Sequence, residues 1–294
     1  MGKVLVLGGT RYFGKRLVDL LLQDGVHEVT VATRGTTKAA FDHPVIRRTV
    51  DRTDEGSLRS VAAAGPWDVV FDNICYSPGE AEAAIRAFDG HVGRYILTST
   101  LSVYGFGASP LVEEDFDPYT YERKSGDRDD FDYGEGKRQA EAAFFQLAEF
   151  PVAAMRIPIV LGPDDYTRRL HFHIERVMKG TPIGMPNAEA AMSFISSAET
   201  ASFLQWLGGS DLRGPINASS EGTITLRSLM ELIERETGKP ALLQAVTDPG
   251  DASPFGVGAS WYMDISKARA AGYRFSSLQE WLPDLIRNIA QGRG

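Results

Sequence analysis

The chain has 294 residues, 43% of them hydrophobic and 24% charged, which suits one large or two modest folded domains and excludes disorder as the main state. Lys and Arg number 31 against 39 Asp and Glu; the formal charge of −8 lacks the global basic field of a dedicated nucleic-acid binder. A single cysteine, Cys75, excludes an intrachain disulfide, and no apolar run approaches the ~20 residues that span a bilayer. Residues 3–7 run straight into glycines and are too short for a signal-peptide core, so the expected location is the cytoplasm, with no membrane partner.

In chain order, short β-branched and apolar runs predict strands at 4–7, 29–32, 45–50, 68–71, 95–98 and 152–157. Helices are expected between them: one carrying Phe13, Leu17, Leu20 and Leu21, then 54–64, 80–88 and 133–149. Strand and helix alternating at this length predict an α/β fold, a Rossmann-type doubly wound parallel sheet. After Gly162-Pro163 the pattern changes; Gly180, Pro182, Gly184 and Pro186 predict a loop-rich stretch. Further helices are expected at 226–236, closed by Gly238, and at 277–289. His171-Phe172-His173 alternates like a strand or loop edge and lacks a third ligand at known spacing, so no metal site is expected.

Gly8-Gly9-Thr10-Arg11-Tyr12-Phe13-Gly14 lies between the first strand and the first helix. Glycines there allow a tight turn and close approach of backbone to a pyrophosphate, which the helix N-terminus then receives with free N–H groups. Gly8, Thr10, Arg11, Tyr12, Phe13 and Gly14 are therefore candidate cofactor-binding residues, with Arg11 where the commoner pattern has its middle glycine. Thr33, 19 positions beyond Gly14, stands where NAD-selective folds place an acid, and Arg34 follows. A guanidinium in that position suits the 2′-phosphate of NADP, which is expected in preference to NAD. Asp72 and Asn73, polar residues at the end of a buried strand, are read as lining the cofactor edge without a specific role.

Tyr133 and Lys137 are four apart and share a helix face; a neighbouring ammonium stabilises a phenolate. The fifth strand ends in Thr98-Ser99-Thr100-Leu101-Ser102-Val103-Tyr104-Gly105, which puts hydroxyls at the ligand-binding edge of such a sheet. Together with Asp51, Asp68 to Phe71, Arg156 to Pro163, Gly180-Thr181-Pro182-Ile183, Ser193-Phe194-Ile195, Gly214-Pro215-Ile216-Asn217, and Asp264-Ile265-Ser266-Lys267-Ala268, these pieces resemble the extended short-chain dehydrogenases/reductases over nearly the whole chain. That group includes the nucleotide-sugar epimerases and dehydratases. The resemblance implies Thr100 as the catalytic Ser/Thr, Tyr133 as general acid/base, and Lys137 as the lysine that holds the nicotinamide ribose and tunes the tyrosine. It places Asp51 and Arg52 beside the adenine, Ile74, Cys75 and Tyr76 along the cofactor, and Ile157, Pro158 and Ile159 near the nicotinamide. Cys75 is expected to pack, not to act as a nucleophile.

The resemblance implies a dinucleotide domain over 1–163, completed by about 194–219, and a smaller C-terminal substrate-binding part from 164–193 and 220–294. Leu101 and Ser102 stand where sugar-nucleotide 4,6-dehydratases carry an Asp-Glu pair, which disfavours that elimination. The expected function is an NAD(P)-dependent epimerase or oxidoreductase acting on a hydroxyl or keto group of a small molecule, with a nucleotide sugar as candidate substrate and a homodimer as candidate assembly. The alternative is a nucleic-acid-binding or regulatory protein on the same fold, because Arg11 also resembles a branch that includes chloroplast stem-loop-binding proteins. Residues 121–132, a charged insertion between Thr100 and Tyr133, are read as a solvated loop; a lid that closes over substrate is the sharper alternative.

Overall fold

The computed structural model describes residues 2–105 and 110–293. Its first strand, β1 (Gly2–Leu7), shows how the sequence builds the fold. Successive side chains of a strand point to opposite faces, so Val4 and Val6 enter one core while Leu5 and Leu7 enter another. A strand buried on both faces belongs inside a helix-covered parallel sheet.

The chain continues through α1 (Tyr12–Gln23), β2 (His27–Thr33), β3 (Ile46–Thr49), α2 (Glu55–Ala62), β4 (Val69–Asp72), α3 (Pro78–Phe88), β5 (Tyr95–Thr100), α4 (Tyr133–Leu147), β6 (Val152–Ile157) and β7 (Ile159–Leu161). Then come α5 (Arg169–Lys179), β8 (Ile183–Gly184), β9 (Ala191–Met192), β10 (Phe194–Ser196), α6 (Ser197–Gly208) and β11 (Gly214–Asn217). The chain ends with β12 (Ile224–Thr225), α7 (Leu226–Thr237), β13 (Leu243–Gln244), α8 (Ser266–Ala270) and α9 (Leu278–Ala290).

The main sheet has seven strands in the order β11-β6-β5-β4-β1-β2-β3, all parallel. This is the Rossmann-type doubly wound sheet expected from the alternation, with the strand order reversing between β1 and β4. One face is covered by α2, α3 and α4, whose Leu58, Phe88 and Phe144 share a core with Tyr95 of β5. The other is covered by α1 and α6, through Leu17, Val18, Phe203 and Leu204. Beyond the sheet, α5, α7 and α9 enclose a third core containing Leu170, Ile174, Leu229, Ile233, Leu282 and Ile286.

The stretch expected to be loop-rich contains α5, an 11-residue helix, so the strand or loop-edge reading of His171-Phe172-His173 is corrected. His171 and His173 lie on its buried side with Leu170, Ile174 and Val177. Apolar residues at 170, 174 and 177 carry a helical period that the two-residue alternation of the histidines masks. Among the described residues no group of His, Cys, Asp and Glu could hold a metal ion, and no helix is long and apolar enough to cross a membrane.

Candidate functional site

At the point where the strand order reverses, the carboxyl ends of β1, β2 and β4 open into a cleft of about 430 Å³. Its floor is the turn from β1 into α1. Gly8 has φ +83, and a Cβ there would stand 2.6 Å from Ile74 Cγ2. A Cβ on Gly14 would lie 2.4 Å from the Gly8 carbonyl, so the helix can cross the strand end this closely only with glycine. Arg11 precedes α1 in extended conformation and gives the helix no side-chain cap, which leaves the first-turn N–H groups available to a ligand. Tyr12, the first residue of α1, has φ +51, an unusual backbone for a residue with a side chain.

The cleft brings together Gly8, Thr10, Arg11, Tyr12, Phe13 and Gly14 with Thr33, Arg34, Asp51, Arg52, Ile74 and Tyr76. Arg11 reaches toward the β2 end, where its Nε donates to Thr37 Oγ1 at 3.1 Å. Asp51 accepts from the Thr53 backbone N–H and hydroxyl, which with the nearby Arg34 cation hold its carboxyl below the ordinary range. Arg52 lines the cleft, but its guanidinium is committed below it. Its Nη2 donates to Asp72 at 2.7 Å and its Nη1 to the Glu80 carbonyl at 2.7 Å, and the Tyr95 hydroxyl completes this buried cluster.

The remaining candidates lie outside the lining of that cleft, on its β4 and β5 side. Lys137 is 3% exposed, and its Nζ donates to the carbonyls of Cys75 at 2.7 Å and Thr98 at 2.6 Å. The same ammonium stands 4.9 Å from the centre of the Tyr76 ring, and the Tyr133 ring lies 6.3 Å from that ring. Tyr76 thus joins the cleft to the Tyr–Lys pair. Tyr133 opens α4 and is 54% exposed, accessible to a substrate. Thr100 ends β5, and its hydroxyl accepts from the Ser102 N–H at 3.1 Å. Thr98 donates its hydroxyl to Asn73 Oδ1. Cys75 contributes its carbonyl only; its thiol is fully buried, and burial pushes it up to about 12. Ile157 and Pro158 are buried at the exit of β6, and Ile159 begins β7.

A buried ion pair fixes α4 on the sheet. Arg156 on β6 donates to Glu141 on α4 at 2.6 Å, to the Tyr104 hydroxyl at 2.9 Å, and to the carbonyls of Glu113 and Phe116. Ser99 donates to the same Glu141 carboxylate. The network locks the helix that carries Tyr133 and Lys137 to β6 and to β5, the strand that carries Thr98 and Thr100.

Of the two polar residues that end β4, Asn73 lines the cleft, whereas Asp72 lies beneath it, fully buried against Arg52 and Tyr95. Sequence reasoning missed Tyr166 and Arg128, which also line the cleft. Tyr166 packs edge-on against Tyr12 at 6.1 Å. Arg128 arrives from the charged insertion. That segment does not hang free: Tyr121 donates to Glu135, the Lys124 N–H to Gln139 Oε1, and the Gly79 N–H to the Gly126 carbonyl.

The cleft fits a dinucleotide. Besides the glycine cradle and the uncapped helix, two of its residues carry buried polar atoms without partners among the described residues, Tyr12 Oη and Asn73 Nδ2. Burial, with Asp165 nearby, pushes the Tyr12 phenol upward and keeps it a hydrogen-bond donor.

Residues 4–78 match the NAD dependent epimerase/dehydratase family. Chloroplast stem-loop binding protein of 41 kDa b of Arabidopsis thaliana is 27% identical over 256 residues, covering 81% of this chain and 64% of that protein. The chain therefore accounts for under two thirds of that relative's length. UDP-glucuronic acid decarboxylase 6 of Arabidopsis thaliana is 26% identical over 300 residues, covering 91% of this chain and 82% of the relative. The crystal structure of Thermus thermophilus UDP-glucose 4-epimerase in complex with NAD superposes with a TM-score of 0.72 at 19% identity, covering 98% of each chain. The fold is that of a Rossmann-type doubly wound α/β protein. The residues that match the family run from β1 through β4 to the start of α3 and include the glycine turn.

Proposed function

We propose that the protein binds a nicotinamide dinucleotide along the glycine-turn cleft and acts as an epimerase or oxidoreductase on a hydroxyl or keto group, with nucleotide sugars as the substrate class. One observation carries this reading: Tyr76 lines the cleft and its ring meets both Lys137 and Tyr133. The nicotinamide, when bound, supplies the hydride chemistry. Tyr133, exposed at the start of α4, takes the proton of the reacting hydroxyl, and Lys137 holds the nicotinamide ribose. The Thr100 hydroxyl stabilises the developing oxyanion by a hydrogen bond. Leu101 is buried in an apolar cluster and carries no transferable proton, so water elimination of the 4,6-dehydratase type is not part of the proposal.

The proposed preference is NADP, because β2 ends in Thr33, followed by Arg34, where an acid would repel the 2′-phosphate, and Arg11 extends toward the same end. The solved relative described above holds NAD, so the native protein's affinities for both cofactors are the deciding quantity. The test is cofactor content after gentle purification. Tightly retained NAD+ supports an epimerase, readily exchanged NADPH a reductase, and failure to bind either removes the proposal.

A second reading, an RNA-binding protein on the same fold, draws on the similarity to the stem-loop binding protein. The net charge of −8 and the Tyr133–Lys137 pair weigh against it. It predicts stem-loop RNA binding that falls steeply with salt.

A further inference from the structure

Arg128 brings a cation from the charged insertion to the wall of the dinucleotide cleft. Its guanidinium lies 4.3 Å from the centre of the Tyr76 ring. Nε donates to Glu80 Oε1 at 2.5 Å, and Nη2 donates to the Ile74 carbonyl at 2.9 Å. Glu80 is 5% exposed, and its second carboxylate oxygen accepts from the Tyr76 N–H at 2.6 Å, so the acceptor is held rigidly. Nη1 takes no protein acceptor among the described residues, and the side chain remains 46% exposed. The turn that delivers Arg128 is itself built: Asp127 and Asp130 form a reciprocal capping pair, and the Gly126 carbonyl is bonded to α3.

We propose that Arg128 is a dinucleotide-binding residue that meets the cofactor's diphosphate from the side of the cleft opposite the α1 N-terminus, and that residues 121–132 are the clasp that holds it there. The sheet order places it. Arg34 and Asp51 lie beyond β2 and β3, at the outer end of the cleft, whereas Arg128 rests on Ile74 and Tyr76 beyond β4. The glycine turn leaves the neighbouring strand, β1. A diphosphate crossing where the strand order reverses therefore has the uncapped helix end on one side and the free edge of the Arg128 guanidinium on the other. An arginine fixed by Glu80 and a carbonyl is already oriented, so little side-chain freedom remains to be lost on binding.

The inference rests on the dinucleotide reading above, and calorimetric titrations of cofactor-free protein separate the two. The probes are adenosine, ADP, and whichever of NAD+ and NADP+ the native protein binds more tightly. Arg128→Ala is expected to weaken ADP and the dinucleotide by about 10- to 100-fold, the scale of a charge-assisted bond, while adenosine stays within about twofold. Arg128→Lys, which keeps the charge without the fork, is expected between the two. Glu80→Gln is expected to speed dinucleotide release and trypsin cleavage after Arg123 and Lys124. Native protein that binds neither dinucleotide overturns the underlying reading. Native protein that binds while Arg128→Ala retains full ADP affinity, or loses adenosine equally, overturns the role of Arg128 alone.

Discussion

Arg34 tests cofactor selectivity, because it is the cation that follows the acid-free end of β2. Arg34→Ala is expected to narrow the ratio of NADP to NAD affinity by about tenfold or more, the loss of one charge-assisted contact, measured by paired titrations. Equal native affinities would remove that prediction. Tyr133→Phe is expected to keep cofactor binding and abolish turnover, since only the transferable proton is deleted; Lys137→Ala should impair both. Normal turnover by the phenylalanine variant would show that another group carries the proton. Cys75, buried and with its thiol pushed up to about 12, should resist alkylation in the native protein at neutral pH and react on unfolding. The glycine turn and the Tyr133–Lys137 spacing were legible because each is a local pattern on one element. Arg128 was not, since its contact with Glu80 spans 48 positions and depends on how an insertion folds back.

At the scale of elements, α4 and α5 each hinge on one buried polar group. Arg156 is 0% exposed and neutralises Glu141, so Arg156→Met would leave a buried carboxylate unpaired. The expected loss is about 3–5 kcal/mol in denaturant unfolding, partly recovered when Glu141 is also made apolar. His173 on α5 donates Nδ1–H to the Arg169 carbonyl, accepts from Ser253, and stacks on Phe255 at 4.5 Å. Burial holds it down to about 4, against about 6.5 in an unfolded chain. Between those values the unfolded chain binds the proton more readily, so stability present above pH 6.5 is lost as pH falls toward 4. The expected contribution is on the order of 3 kcal/mol, and His173→Gln should flatten that part of the stability profile. A variant with an unchanged acid limb would contradict this. Helix α5 escaped sequence reasoning because its histidines alternate like a strand amid glycines and prolines. Helix α6 escaped because Phe203, Leu204 and Leu207 pack into the sheet core while partly buried Trp206 packs there too, blurring the one-sided period of an exposed helix.

For the whole molecule, six of the seven strands of the parallel sheet were legible from alternation, since buried strands read as short apolar runs separated by helices; β11, Gly214-Pro215-Ile216-Asn217, has no such run and was not predicted. The enclosure of the cleft was less so: Arg128 and Tyr166 come from separate loops that only the folded sheet gathers around the glycine turn. The central claim is that this cleft binds a nicotinamide dinucleotide beside Tyr133 and Lys137. Calorimetric titration of NADP+ and NAD+ into cofactor-free native protein tests it most directly. The account predicts saturable binding of one dinucleotide per chain, displaced by ADP. No binding of either dinucleotide by folded protein, at concentrations up to about 1 mM, an affinity of roughly 4 kcal/mol, would contradict it.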